Sequence, residues 1–179
     1  QFAAKVNNSL DQPCFAVKTV ITGPLTLAHH SVATNGAAAQ SFDQRVMAFA
    51  EAVAREVEAL AKEGAKIIQI DEPSVLKYPE EMPLLKRSLE TIAAKKGSAM
   101  ISLCLYFGDA APLYERLQEL PVVALHLDFT YSPGLTAKIL AAGSSKLLGL
   151  GLVDGRNTKL EDPQAVAATV RKIADRLSP

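Results

Sequence analysis

Two adjacent carboxylates, Asp71 and Glu72, follow the run Lys66-Ile67-Ile68-Gln69-Ile70 and precede Pro73. A β-branched run of that length reads as a strand, and neighbours on a strand point to opposite faces. Asp71 therefore shares a face with Ile67 and Gln69 while Glu72 turns away, so the two do not form a ready acid/base pair. Four other apolar runs end in polar residues: Thr22-Gly23-Pro24, Tyr106-Phe107-Gly108-Asp109, Asp128 with Thr130-Tyr131, and Asp154-Gly155-Arg156-Asn157. In parallel α/β architectures function collects at the carboxyl ends of strands. Five polar endings on one rim point to a site for a polar small molecule. Asp71, Glu72, Tyr106, Asp128, Asp154 and Arg156 are its candidate substrate-binding residues. Arg156 has the planar fork that grips a carboxylate through two bonds. No residue pattern supplies a convincing catalytic group.

The remaining reactive side chains have plainer readings. Cys104 is the weak candidate for a metal ligand, but it has no good partner in the sequence and reads rather as a small buried residue on a strand. His29 and His30 are neighbours, so a regular strand could not turn both to one metal, and a role at the surface or at a helix entry suits them. His126 shares a face with Asp128, where a hydrogen bond within the core would satisfy it.

Strands are expected at Val17–Thr22, Lys66–Asp71, Ala99–Phe107, Val122–Phe129 and Leu147–Val153. The stretch Leu25–His30 reads as a short helix or loop, and residues 1 to 13 and 34 to 40 as connections. Ser41 caps a helix whose apolar face is Phe42, Val46, Phe49, Val53, Val57 and Leu60, and Gly64 ends it. Further helices fall at 80 to 96 (Met82, Leu85, Leu89 and Ile92 inward), 111 to 119 and 133 to 142. A last one has Asp162 as cap, Pro163 in its first turn, and Val166, Val170, Ile173 and Leu177 inward. About five strand–helix units in series define a parallel α/β fold, with strands apolar on both faces. Both a doubly wound sheet and a (β/α)8 barrel fit, and a complete barrel needs about 250 residues.

With 179 residues, 49% hydrophobic and 21% charged, the chain has the composition of a globular domain with a substantial core. Lys+Arg and Asp+Glu balance at 19 each, there is no Trp, and no basic cluster is interleaved with aromatics, so nucleic acid is not an expected partner. No apolar run is long enough to span a bilayer, so no membrane partner is expected. Two cysteines, Cys14 and Cys104, far apart, make no disulfide framework, which points to the reducing cytoplasm.

Read together, Val20-Ile21-Thr22-Gly23-Pro24-Leu25-Thr26, Ile68-Gln69-Ile70-Asp71-Glu72-Pro73, Tyr106-Phe107-Gly108-Asp109 and Gly149-Leu150-Gly151-Leu152-Val153-Asp154-Gly155-Arg156-Asn157 resemble the cobalamin-independent methionine synthase family. The likeness runs from about Lys18 onward. It implies a partial (β/α)8 barrel spanning the third to seventh strands, a single incomplete domain over 1–179 within a longer protein. It also implies methyl transfer from 5-methyltetrahydrofolate polyglutamate to homocysteine. Family members pair a zinc-bearing catalytic barrel with a zinc-less one. Aligned on Phe107-Gly108-Asp109, Cys104 falls where the catalytic half has a zinc-binding His, Tyr106 where it has a Cys, and Asp128 near its Glu; the fourth ligand would lie beyond Pro179. One Cys, a Tyr and an Asp do not make a convincing zinc tetrahedron, so the likeness is to the zinc-less half. It implies no cofactor in this chain, zinc in a catalytic partner domain or chain, and homocysteine and folate as small-molecule partners. In the catalytic half the Asp matching Asp71 contacts the amino group of homocysteine. A non-catalytic structural or folate-tail-binding module, and a barrel like uroporphyrinogen decarboxylase, are the alternative readings. A glycosidase built on Asp71 and Asp128 ranks last, for want of a Trp platform.

Overall fold

The computed structural model describes residues 17–32, 34 and 40–177, so the expected loop over 1 to 13 and most of the connection at 34 to 40 lie outside the described residues. Strands β1 (Lys18–Thr22), β2 (Ile67–Asp71), β3 (Met100–Leu105), β4 (Ala124–Asp128) and β5 (Leu147–Gly151) form one parallel sheet. Each lies within two residues of the run expected for it. The helices are α1 (Pro24–His29), α2 (Phe42–Lys62), α3 (Ser74–Lys77), α4 (Met82–Ala93), α5 (Tyr114–Leu117), α6 (Leu135–Ala142) and α7 (Pro163–Leu177).

The strand order is β1-β2-β3-β4-β5, each strand beside its predecessor in sequence. A doubly wound sheet reverses its order at a switch point. This one does not, and it does not close on itself, so the architecture is a partial (β/α)8 barrel.

Register sorts the side chains into two faces. On one, Ile68, Ile70, Ile101, Leu103, Leu105, Leu125 and Leu127 are buried against the helices. The other carries the cross-strand rows Val20–Gln69–Ser102–Ala124–Leu147 and Thr22–Asp71–Cys104–His126–Gly149. That face is not apolar, contrary to the expectation. Val20, Met100 and Leu147 on it are 52%, 42% and 68% exposed, and its other members are mostly polar. In-sequence strand order commits the helical cover to one side, so only alternate residues meet helices.

The helices form where their ends are defined. Ser41 accepts from Gln44 N while the Gln44 side chain accepts from Ser41 N, a reciprocal cap for α2. Val46, Val53 and Val57 of its inner face are buried, and Gly64 leaves the helix at φ +88°. All four expected apolar residues of α4 are buried. On α7, Asp162 caps Gln164 N as expected, yet only Ile173 is buried and Val170 is 41% exposed. The helix follows β5, the sheet's edge strand, and has nothing beyond it to cover its outer apolar residues among those described. The stretch 111 to 119 forms as a 3-10 turn followed by the single turn of α5.

Leu103 is fully buried at the centre of the sheet. Leu103→Ala is expected to lower unfolding free energy by about 2–5 kcal/mol, read as a shift in the urea midpoint at unchanged slope.

Candidate functional site

The tip of β2 sets the polar face in order. Lys18 Nζ donates to Gln69 Oε1 (2.6 Å), Gln69 Nε2 donates to Asp71 Oδ1 (2.7 Å), and Tyr106 OH donates to Asp71 Oδ2 (3.3 Å). Both Asp71 oxygens are thus aimed from within the sheet, and the half-buried carboxylate stands at the strand's carboxyl end.

Glu72 takes the opposite direction and does not join that group. Its side chain is fully buried under the turn after β1. Oε1 accepts from Leu25 N (2.8 Å), and Oε2 accepts from Thr26 N (2.8 Å) and Thr26 Oγ1 (2.7 Å). Glycine is required at position 23, where any Cβ would overlap the Glu72 side chain. Burial pushes the Glu72 pKa up to about 7; the bonds from Thr26 and Leu25 pull against it, and the neighbouring Asp71 adds to it.

The ends of β3, β4 and β5 enclose a cleft of about 490 Å³ lined by Cys104, Tyr106, His126, Asp128, Asp154 and Arg156, among others. Four of the six expected binding residues therefore line it, with Asp71 one hydrogen bond away. Arg156 does not offer a free fork. Its Nε donates to Asp154 Oδ1 (2.6 Å), its Nη1 to Asp128 Oδ2 (3.0 Å), and its Nη2 to Thr130 Oγ1. The guanidinium also lies over the Tyr131 ring at 4.3 Å and near Phe107 at 5.6 Å. Arg156 thus ties the tips of β4 and β5 together. Phe107, 63% exposed, sits at φ +64°, a strained backbone for a bulky residue at the end of β3.

His126 makes no hydrogen bond among the described residues, and its ring covers Gly149, where a Cβ would overlap it. Burial lowers its pKa, Lys18 adds to that, and Asp71 opposes it. Burial works against ionisation of Asp128, but the bonds from Thr130 and Arg156 outweigh it and lower its pKa. Burial, then the Asp71 charge, pushes the Cys104 thiol up to about 11 and the Tyr106 phenol up to about 12. Near neutral pH the cleft therefore presents a thiol and a phenol that keep their protons, and carboxylates that accept hydrogen bonds. It is equipped to hold a polar molecule rather than to attack one.

The donor set does not suit zinc. No three His, Cys, Asp or Glu side chains among the described residues are grouped to hold a metal ion. His29 is held elsewhere, with Nε2 2.7 Å from Glu81 Oε2 and its ring stacked on Tyr78 at 3.9 Å.

Fold and site define an α/β barrel segment with a polar mouth at its strand ends. Solved structures share the fold. A B12-independent methionine synthase from a Shewanella species, in complex with selenomethionine, matches with a TM-score of 0.70 at 19% identity, over 99% of this chain and 56% of that one. A methyltransferase from Methanosarcina mazei matches with 0.72 at 18%, over 97% and 54%. The family described as "Cobalamin-independent synthase, N-terminal domain" matches residues 2–178, and the chain belongs to it. Among curated relatives, a methionine synthase of Pyrococcus furiosus is 32% identical over 91% of this chain and 47% of its own length. The 5-methyltetrahydropteroyltriglutamate–homocysteine methyltransferase of Saccharomyces cerevisiae is 36% identical over 66% of this chain and 16% of its own. The chain thus spans about half the length of the archaeal relative and a far smaller part of the yeast one. No helix among the described residues is long and apolar enough to cross a membrane.

Glu72 has a folded pKa of about 7 against an ordinary 4.5. Between those values the folded chain binds more protons than the unfolded one. Its stability contribution is therefore full below 4.5 and lost as pH rises through 7, on the order of 3 kcal/mol. Urea unfolding at pH 5 and pH 8 is expected to show this decline in the native chain and to show it flattened by that amount in Glu72→Gln.

Proposed function

We propose that the chain is part of the zinc-less barrel of a cobalamin-independent methionine synthase. In this reading it spans the third to seventh strands of one incomplete barrel domain within a longer protein. It serves methyl transfer from 5-methyltetrahydrofolate polyglutamate to homocysteine alongside a zinc-bearing catalytic barrel, on the same polypeptide or another. The observation that carries this reading is the match of residues 2–178 to the family's N-terminal domain. The Cys104 thiol is free, which suits the cytoplasm.

The anchoring residues in this reading are Asp71, Tyr106, Asp128, Asp154 and Arg156. Asp71, a half-buried carboxylate on the polar face whose oxygens accept from Gln69 and Tyr106, is suited to the ammonium group of an amino acid such as homocysteine. A porphyrin with many carboxylates would need several free cations there. The mouth instead sets Asp71, Asp128 and Asp154 against an Arg156 already paired to two of them and a Lys18 whose Nζ donates to Gln69. That balance favours the methionine-synthase reading over a decarboxylase.

Elemental analysis of the purified chain, with and without homocysteine, tests the assignment. The expected result is zinc far below one per chain and no methyl transfer by the chain alone. Stoichiometric zinc that homocysteine perturbs would overturn it.

A further inference from the structure

The β2 tip is built around a carboxylate that no ligand can reach. Glu72 is 0% exposed, receives three hydrogen bonds from Leu25 and Thr26, and forms no salt bridge among the described residues. Removing a buried carboxylate from water is costly, and here neutral donors alone offset part of that cost. The backbone on either side is tied as well. Gly23 N donates to Asp71 O (2.8 Å), and Glu72 N donates to Cys104 O (3.0 Å). Asp71 therefore sits between a bond from the β1 tip and a bond to the β3 tip. The Glu72 side chain locks the turn that supplies the first of these.

We propose that Glu72 is a positioning residue: by clamping the Gly23–Thr26 turn onto the end of β2, it holds Asp71 in the geometry that binds substrate. This rests on the reading of the mouth given above, with Asp71 as anchor, and assigns Glu72 a role distinct from contact with the ligand. Three features support it. The carboxylate is sealed off, so it cannot touch a ligand. Thr26 Oγ1 also accepts from Ser74 N (3.4 Å), so the clamp spans the start of α1, the end of β2 and the start of α3. Glycine at 23 leaves the space that the carboxylate fills. A glutamine at 72 would keep the size but set its NH2 group against either Leu25 N–H or the two Thr26 donors, losing at least one bond and opposing at least one donor. Thr26→Val removes one donor and leaves both backbone donors in place.

A double-mutant cycle on the full chain tests the proposal, with L-homocysteine binding followed by calorimetry and each variant's melting midpoint checked to lie above the assay temperature. Glu72→Gln is expected to weaken binding about tenfold in the native background and less than about twofold in an Asp71→Asn background, because it acts through Asp71. Thr26→Val should repeat this pattern more weakly, and it serves if Glu72→Gln does not fold. Equal losses in both backgrounds would overturn the clamp. Should the native chain bind no homocysteine, the ligand reading fails while the clamp is still read from the ring carbon resonances of Tyr106, which bonds Asp71 from just past the end of β3. They are expected to move in Glu72→Gln while those of Tyr114 stay, and a Tyr106 signal that stays put would overturn the clamp.

Discussion

Strand order is the constraint on which the rest depends. When parallel strands follow one another in sequence, every crossover helix lands on one side of the sheet. Alternation along each strand then divides the residues into two sets with different tasks. One set is aliphatic and fully buried: Ile68, Ile70, Leu103 and Leu125. The other is free of that demand and carries Gln69, Asp71, Cys104 and His126 in cross-strand rows. The same alternation sends Asp71 to the mouth and Glu72 beneath it, so one dipeptide serves both the polar face and the architecture.

The mouth is held by pairing within the chain rather than by free charges. Arg156 is bound to Asp128 and Asp154, and Asp71 is bound by Gln69 and Tyr106. Side chains fixed in this way lose little conformational entropy on binding. Two glycines make room for the pieces: Gly23 admits Glu72, and Gly149 admits the His126 ring. The strained Phe107 backbone adds an exposed aromatic edge beside Arg156.

Much of this was legible in the residues. Apolar runs bounded by Gly and Pro located the strands within two residues, because burial against helices demands them. The spacing in α4 named its buried face for the same reason. Local pattern could not name what distant chain segments decide. The burial of Glu72 depends on Leu25 and Thr26, some 46 positions away. The engagement of Arg156 depends on Asp128, 28 positions away. Helix α3 is too short for a periodicity to register, and it starts directly behind Pro73. The outer residues of α7 looked inward because periodicity marks an apolar face without saying whether anything covers it. The inner strand residues read as ordinary strand content, since Cys104 and Ser102 are small enough to pass for core. Family likeness narrowed a choice that the pattern left open, between a doubly wound sheet and a barrel, and the strand order decided it.

The central claim is that the polar strand ends form a mouth serving the methionine-synthase reaction. Mapping backbone amide shifts during titration with L-homocysteine tests it most directly. The account predicts perturbations confined to the carboxyl ends of the strands, at Asp71, Tyr106, Asp128, Gly149 and Arg156. Perturbations gathered on the outer surfaces of α2 and α4, or none at saturating ligand, would contradict it.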